Sequence, residues 1–178
     1  MIPSIYKITI KQQVSFLTTS LLLISVFICA LYFLFGWNYA TIFTVIFIFI
    51  TDTLPALILH ILYLKQNWHS ILIIDRSLNI ISYRKKNYFL KTSLDNIQNI
   101  IRISAYTRYN VFWHSFKEYF YYQIIFEDGT EIIITCLMSS DIEGLMTLIF
   151  PKSIEKKLKV FPIIKKTTSF PGGNKNAG

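Results

Sequence analysis

From Val14 to Leu64 the chain carries a single formal charge, Asp52, and a single histidine, His60. A water-soluble domain cannot hide so long an apolar run, and one membrane crossing needs only about 20 residues. Two crossings joined by a tight connection fit it. Gly36-Trp37-Asn38-Tyr39 supplies the connection, since Gly and Asn tolerate turn dihedrals while Trp37 and Tyr39 suit the headgroup interface. The expected spans are residues 14–35 and 41–64, within a transmembrane helical hairpin over 14–64. The overall composition agrees: 53% of the residues are hydrophobic and the mean hydropathy is +0.45.

A cleaved signal peptide is the rival reading of the first apolar segment. That segment is longer than a signal core, and no small-x-small cleavage site leads from it into a soluble stretch. Lys7 and Lys11 precede the first span and Lys65 follows the second, while the turn between them is uncharged. The positive-inside rule then puts residues 1–13 and everything after Lys65 in the cytoplasm. Cys29 lies in a span and Cys136 in an expected strand, so no disulfide framework is indicated.

Charge concentrates after the hairpin. All but two of the 18 basic residues and all but one of the 10 acidic residues lie from Lys65 onward. A basic domain held beside an anionic leaflet is attracted to it, although a basic surface also serves solubility alone. The hydrophobic period changes here as well. Ser70–Asp75 and Asn79–Arg84 are isoleucine-rich runs around Asp75-Arg76-Ser77, a hairpin pattern. Tyr88–Lys91 and Ile97–Ser104 are further strands. In Tyr121–Leu137 the Asp128-Gly129 pair predicts a type I′ hairpin. Ser140-Asp141-Ile142-Glu143 reads as a capping box, after which Ile142, Leu145, Met146 and Ile149 share a helical face up to Pro151. Lys152–Val160 is read as a short basic helix, and residues 165–178, with Pro171-Gly172-Gly173, as a disordered tail.

Six or seven strands followed by an amphipathic helix predict an antiparallel barrel or sandwich closed by a C-terminal helix, over residues 65–164. The meander ILIIDRSLNIISYRKKNYF, the LDNIQNI segment, the YYQIIFEDGTEIIITCLM hairpin and the helix behind it resemble a bacterial pleckstrin-homology-like (PH-like) domain. The whole layout is similar to small bacterial membrane proteins that join a two-helix hairpin to such a domain. The resemblance covers Trp68 to about Phe150 and implies binding, to lipid headgroups, peptides or sister subunits, rather than chemistry. The basic signature by which some eukaryotic members hold phosphoinositides lies at the first hairpin. Here that turn offers only Arg76, and Arg84-Lys85-Lys86 sits one turn later.

The residues give no catalytic constellation. His60, His69 and His114 are far apart and neither cysteine has ligand spacing to them, so no metal or other cofactor is expected. There is no glycine-rich phosphate loop and no nucleophile elbow. The segment Tyr106–Tyr122 interleaves aromatics with Arg108, His114 and Lys117. Such a mixture can stack bases or sit at a bilayer surface; beside a membrane hairpin the interface reading is favoured over nucleic acid. Arg108, Tyr109, Phe112, Trp113 and Lys117 are therefore the interface candidates. The structural alternative is a long connection whose aromatics fill the core.

Asp52 is the second candidate site. A carboxylate at mid-span costs about 2.5–3.5 kcal/mol on insertion scales, so a polar partner is expected. Antiparallel helices joined at Trp37 would bring Ser25 level with it, and Pro55 frees a backbone carbonyl nearby. His60 falls two turns further on. Asp52 with Ser25, Pro55 and His60 reads either as a proton or cation relay or as a packing residue of the hairpin, the latter favoured. The expected protein is a non-catalytic binding or assembly module of the bacterial inner membrane, its partners the membrane, anionic lipid headgroups, or another protein or copy through the hairpin. The alternatives are an oligomeric transport or channel component and a membrane-resident inhibitor of the immunity type.

Overall fold

The computed structural model describes residues 4–86, 88–106, 116–139, 141–150 and 154–164. Strand β1 (Ser4–Lys7) runs directly into helix α1 (Ile10–Phe35). Gly36, with φ +65°, turns the chain, and the Asn38 side chain caps helix α2 (Tyr39–Ile48) by accepting from the Thr41 N–H at 2.8 Å. A π-helical turn, Phe49–Thr53, joins α2 to α3 (Leu54–Asn67) without a break. Its cause is local. Leu54 N–H bonds five residues back to Phe49 O, and Pro55 has no N–H. The Ile50 carbonyl thereby loses the donors of both the α and the π pattern, and the helix accommodates the proline with one widened turn.

Two sheets follow. The first has the order β1-β2-β3-β4, with β2 Ser70–Asp75, β3 Ile80–Lys85 and β4 Tyr88–Ser93, all antiparallel. The second has the order β7-β6-β5-β8, with β5 Ile97–Ala105, β6 Phe120–Phe126, β7 Glu131–Thr135 and β8 Ile154–Lys159. Within it β5–β6 and β6–β7 are antiparallel, whereas β8 lies parallel to β5. Helix α4 (Ile142–Ile149) sits between β7 and β8 in the chain and places Ile142 and Met146 in the core. Leu72, Ile74, Ile81 and Tyr83 of the first sheet meet Ile100, Tyr122, Ile124 and Ile134 of the second in one hydrophobic cluster.

The strands expected at 70–75, 79–84, 88–91, 97–104 and in the 121–137 hairpin are present within a residue or two. Three features differ from expectation. The first is β1, where Ser4 to Lys7 pair with Ile74 to Ile71, so the first sheet begins before the helices and α1–α3 stand between two neighbouring strands of one sheet. Four residues are too few to show an alternating pattern, and they abut an apolar run that masks their strand character. The second is Lys152–Val160, expected as a helix; Ile154–Lys159 instead pairs with the edge of β5, where a row of backbone donors and acceptors outweighs modest helix propensity.

The third is the Asp128-Gly129 turn. Only Gly129 has a left-handed φ, +79°, and its N–H bonds to Phe126 O at 2.9 Å. Phe126 N–H also bonds to Thr130 O, making a three-residue loop with a glycine bulge instead of a type I′ turn. Asp128 stays right-handed and accepts from the Thr130 N–H at 2.8 Å. Ser140 and the tail at 165–178 lie outside the described residues. Glu143 of that expected capping box pairs with Arg102 of β5 through Oε1, at 2.6 Å.

Candidate functional site at the helix–domain junction

The last three turns of α3 are built into the domain. Leu59 and Tyr63 are 0% exposed, and Ala56, His60 and Asn67 are buried with them. Buried polar groups need partners, and each of these polar side chains reaches a different part of the fold. The His60 imidazole Nδ1 lies 3.0 Å from the Tyr119 hydroxyl, ahead of β6. Tyr63 donates its hydroxyl to Pro162 O at 2.8 Å, and its ring meets those of Tyr119 and Tyr121 edge to face at 5.5 and 5.9 Å.

Asn67 completes the seam. Strand β7 is the outer strand of its sheet, with backbone groups facing outward. The Asn67 amide donates to Ile133 O at 2.9 Å and accepts from the Thr135 N–H at 2.8 Å, so it bonds this edge as another strand would. The same amide lies 3.4 Å from the Tyr83 hydroxyl, which also contacts Ser70 Oγ at 3.1 Å. At the start of α1, buried Gln13 donates to Leu137 O at 3.2 Å. Both helices are thus fastened where they leave the sheets.

Burial keeps the tyrosines in their neutral, hydrogen-bonding form. Tyr119 is raised above the usual phenol range mainly by desolvation, with the nearby Cys136 adding to it. Tyr121 is pushed up to about 12 by burial and by Glu131. Tyr83 is also raised by burial, partly offset by its bonds to Ser70 and Asn67.

Strand register gathers several lysines at one end, where exposed Glu118 and Asp141 also lie, and a set of acidic residues at the other. Lys7 stands opposite Ile71 and Lys85 opposite Ser70, beside the end of α3, with Lys86 in the following turn and exposed Lys65 in the last turn of α3. Lys85 is held below the usual amine range by partial burial and by neighbouring Lys86. At the opposite end of the strands lie Asp75, Asp95, Glu127 and Asp128, with Arg76 among them. Asn79 bonds Asp95 there, and Glu127 N–H bonds Asn96 O at 2.9 Å, which ties three turns together. A cavity of about 320 Å³ opens among Leu90, Thr92, Asn96, Phe126, Glu127 and Asp128 at that end. Among the described residues no group of three or more His, Cys, Asp or Glu side chains could hold a metal ion.

The intramembrane candidates do not gather at one point. Asp52 is half-buried in the π turn and Pro55 follows it, whereas His60 belongs to the junction below. Ser25 is exposed and donates to Leu21 O of its own helix at 2.8 Å. Arg108, Tyr109, Phe112 and Trp113 lie outside the described residues, and Lys117 is half-buried. At the described end of that segment Phe116 is buried against Phe161, ring centroids 5.2 Å apart, and Tyr119 reaches His60, so the chain enters β6 beside α3. Sequence reasoning missed Gln13 and Asn67. Their only signal was an amide at each end of an apolar run, which is also what solvated helix ends carry.

A family model described as a PH domain matches residues 5–143, most of the chain, and the chain belongs to that family. The match begins in β1 and takes in the helices, in agreement with β1 as a strand of the domain sheet. No curated protein and no solved structure matches the chain. A PH domain is a binding or assembly module, generally without catalysis of its own, and commonly takes lipid headgroups or proteins.

Proposed function

We propose that the protein is a non-catalytic PH-domain module of the bacterial cytoplasmic membrane, with a two-helix hairpin as anchor and both hairpin ends on the cytoplasmic side. The observation that carries this reading is the division of one helix between two surroundings. Tyr39–Asn67 is a single 29-residue helix, 18 residues of which reach a mean hydropathy of 2.3, long and apolar enough to cross a membrane. Its final turns are buried in the domain, which leaves Tyr39–Ile58, about 20 residues and so about 30 Å, to match a hydrocarbon core. The span therefore ends nearer Ile58 than Leu64. Along it Phe43, Ile46, Phe47 and Ile50 are exposed, and lipid rather than water is the medium that favours them. The apolar helix α1 returns the chain across the same layer.

Orientation follows from Lys7, Lys11 and Lys65 on the domain side against an uncharged tip. The charge sorting supports the same arrangement. The end bearing Lys7, Lys65, Lys85 and Lys86 faces an anionic leaflet, and the acidic turns point to the cytoplasm. In this geometry the bilayer is the first partner, and the acidic end is free for a protein partner.

Single-cysteine labelling in intact cells tests the reading, in a background carrying Cys29→Ser and Cys136→Ala. A probe at Asn38→Cys should react from outside, and one at Asp128→Cys only after permeabilisation. Labelling of Asp128→Cys from outside would reverse the orientation, and failure of both positions without permeabilisation would remove the crossing.

A further inference from the structure

Arg102 stands near the middle of β5 and is only 5% exposed. Its Nη1 meets the Glu143 carboxylate of α4 at 2.6 Å, and its guanidinium carbon lies 4.8 Å over the Phe120 ring. Neither Nε nor Nη2 has an acceptor among the described residues. These two atoms are not a random pair. They form the side edge of the guanidinium, whose two parallel N–H bonds match the two oxygens of one oxyanion. Glu143 occupies the remaining nitrogen, and Phe120 covers one face, so the plane is fixed and the edge is preorganised.

The surroundings reinforce the sign. In the parallel register the residue opposite Arg102 on β8 is Lys156, a second cation where a strand designed only for stability would place a neutral or acidic side chain. Glu143 is 40% exposed and Lys156 is exposed, so solvent reaches the two side chains that flank the edge, while Nε and Nη2 themselves are closed off from it. An ion pair accounts for one guanidinium nitrogen. It does not account for a buried bidentate edge beside a second cation.

We propose that the Nε/Nη2 edge of Arg102, with Lys156, binds one phosphate-type oxyanion between α4 and β8. Glu143 holds the guanidinium in place and, as a nearby carboxylate, also weakens the anion's binding, so it tunes the site. The phosphate group can belong to a free anion or to a lipid headgroup, since the edge recognises only the oxygens.

The test uses the full chain in phosphatidylcholine nanodiscs, titrated with inorganic phosphate against chloride at equal ionic strength and read by calorimetry and by thermal unfolding. Wild type should bind phosphate and unfold at a higher temperature in it. Arg102→Lys, which replaces the fork by a point donor, should bind at least about tenfold more weakly. Glu143→Gln should bind more tightly than wild type, the opposite of what a purely structural ion pair predicts. Because Arg102→Lys can disturb the core, the exposed Lys156→Glu provides an independent arm. Its carboxylate should fill the edge, abolish phosphate binding and leave the fold intact. Repeating the titration in phosphatidylglycerol nanodiscs separates the sources: unchanged phosphate binding assigns the site to a free anion, and competition assigns it to a headgroup. No phosphate-specific response in wild type, or an equal response in Lys156→Glu, overturns the proposal.

Discussion

Between Tyr39 and Ile58 the long helix exposes Phe43, Ile46, Phe47 and Ile50, whereas from Leu59 to Asn67 it buries Leu59, His60, Tyr63 and Asn67 among strands from both sheets. As far as Leu64, hydropathy barely distinguishes the two stretches. What separates them is side-chain chemistry. The exposed stretch carries hydroxyls that bond within the helix, such as Thr44 to Ala40 O and Thr51 to Phe47 O, at 2.8 Å each. The buried stretch carries imidazole, phenol and amide groups that reach Tyr119, Pro162, Ile133 and Thr135. An apolar helix that satisfies its polar groups internally suits lipid, while one that sends them outward needs a protein around it.

The sharpest way to break that contrast is to cut the chain. A fragment beginning at Trp68 loses β1 and the buried end of α3 together. It should fail to give a cooperative unfolding transition by circular dichroism. A chain that keeps residues 4–13 and 56–67 but replaces 18–54 with a short glycine-serine turn should fold in water. If the Trp68 fragment folds with full stability, the junction is a tether and not a part of the core.

Point changes sharpen the same comparison. Tyr63→Ala removes a fully buried ring and its hydroxyl, and should cost about 3–5 kcal/mol of unfolding free energy. Phe43→Ala, at a residue 71% exposed, should change it by less than about 0.5 kcal/mol. Denaturant titration in micelles reads both. Equal costs would mean that the two stretches share one environment.

The tyrosines around the buried stretch give a pH dependence. The Tyr121 hydroxyl holds its proton to about 12 in the folded protein, against 10.0 as its ordinary value. The folded state therefore binds more protons than the unfolded chain between those values. Their contribution to stability is complete below about pH 10 and is lost as pH rises through 12, with Tyr119 shifted in the same direction. Phenolate absorbance at 295 nm should lag behind that of the unfolded chain over this range, and coincident titrations would contradict the burial described here. The smallest effect is expected at Asp52. Asp52→Asn retains hydrogen-bonding capacity at the π turn, and accumulation in the membrane should stay near wild type. Loss of a proton- or cation-driven flux at unchanged expression would favour the transport reading instead.

Much of the β domain was legible because its strands carry their own signals. The isoleucine runs at 70–75 and 80–85 alternate buried and half-buried positions, and Ile142 and Met146 repeat at helical spacing. The type of the 126–130 turn was not legible, because Asp-Gly serves both a two-residue turn and a glycine bulge. Nor was the junction. Asn67 gains its role only when β7, 66 and 68 residues away in the chain, presents Ile133 and Thr135 to it. Arg102 is similar: one arginine in the strand IQNIIRISA reads as a solvated position until α4 and β8 cover it. Local pattern reports the elements, and long-range pairing decides which polar residues matter.

The central claim is that the span continues into the domain as one rigid helix. A pair of spin labels, at exposed Ile46 in the span and at Asp128 in the far turn, measures this directly in nanodiscs by dipolar spectroscopy. The account predicts a single narrow distance distribution, unchanged between lipid compositions, because α3 is fixed to β7 through Asn67 and to β6 through Tyr119. A broad distribution, or one that shifts with lipid composition while the domain stays folded, would show a flexible tether and contradict it.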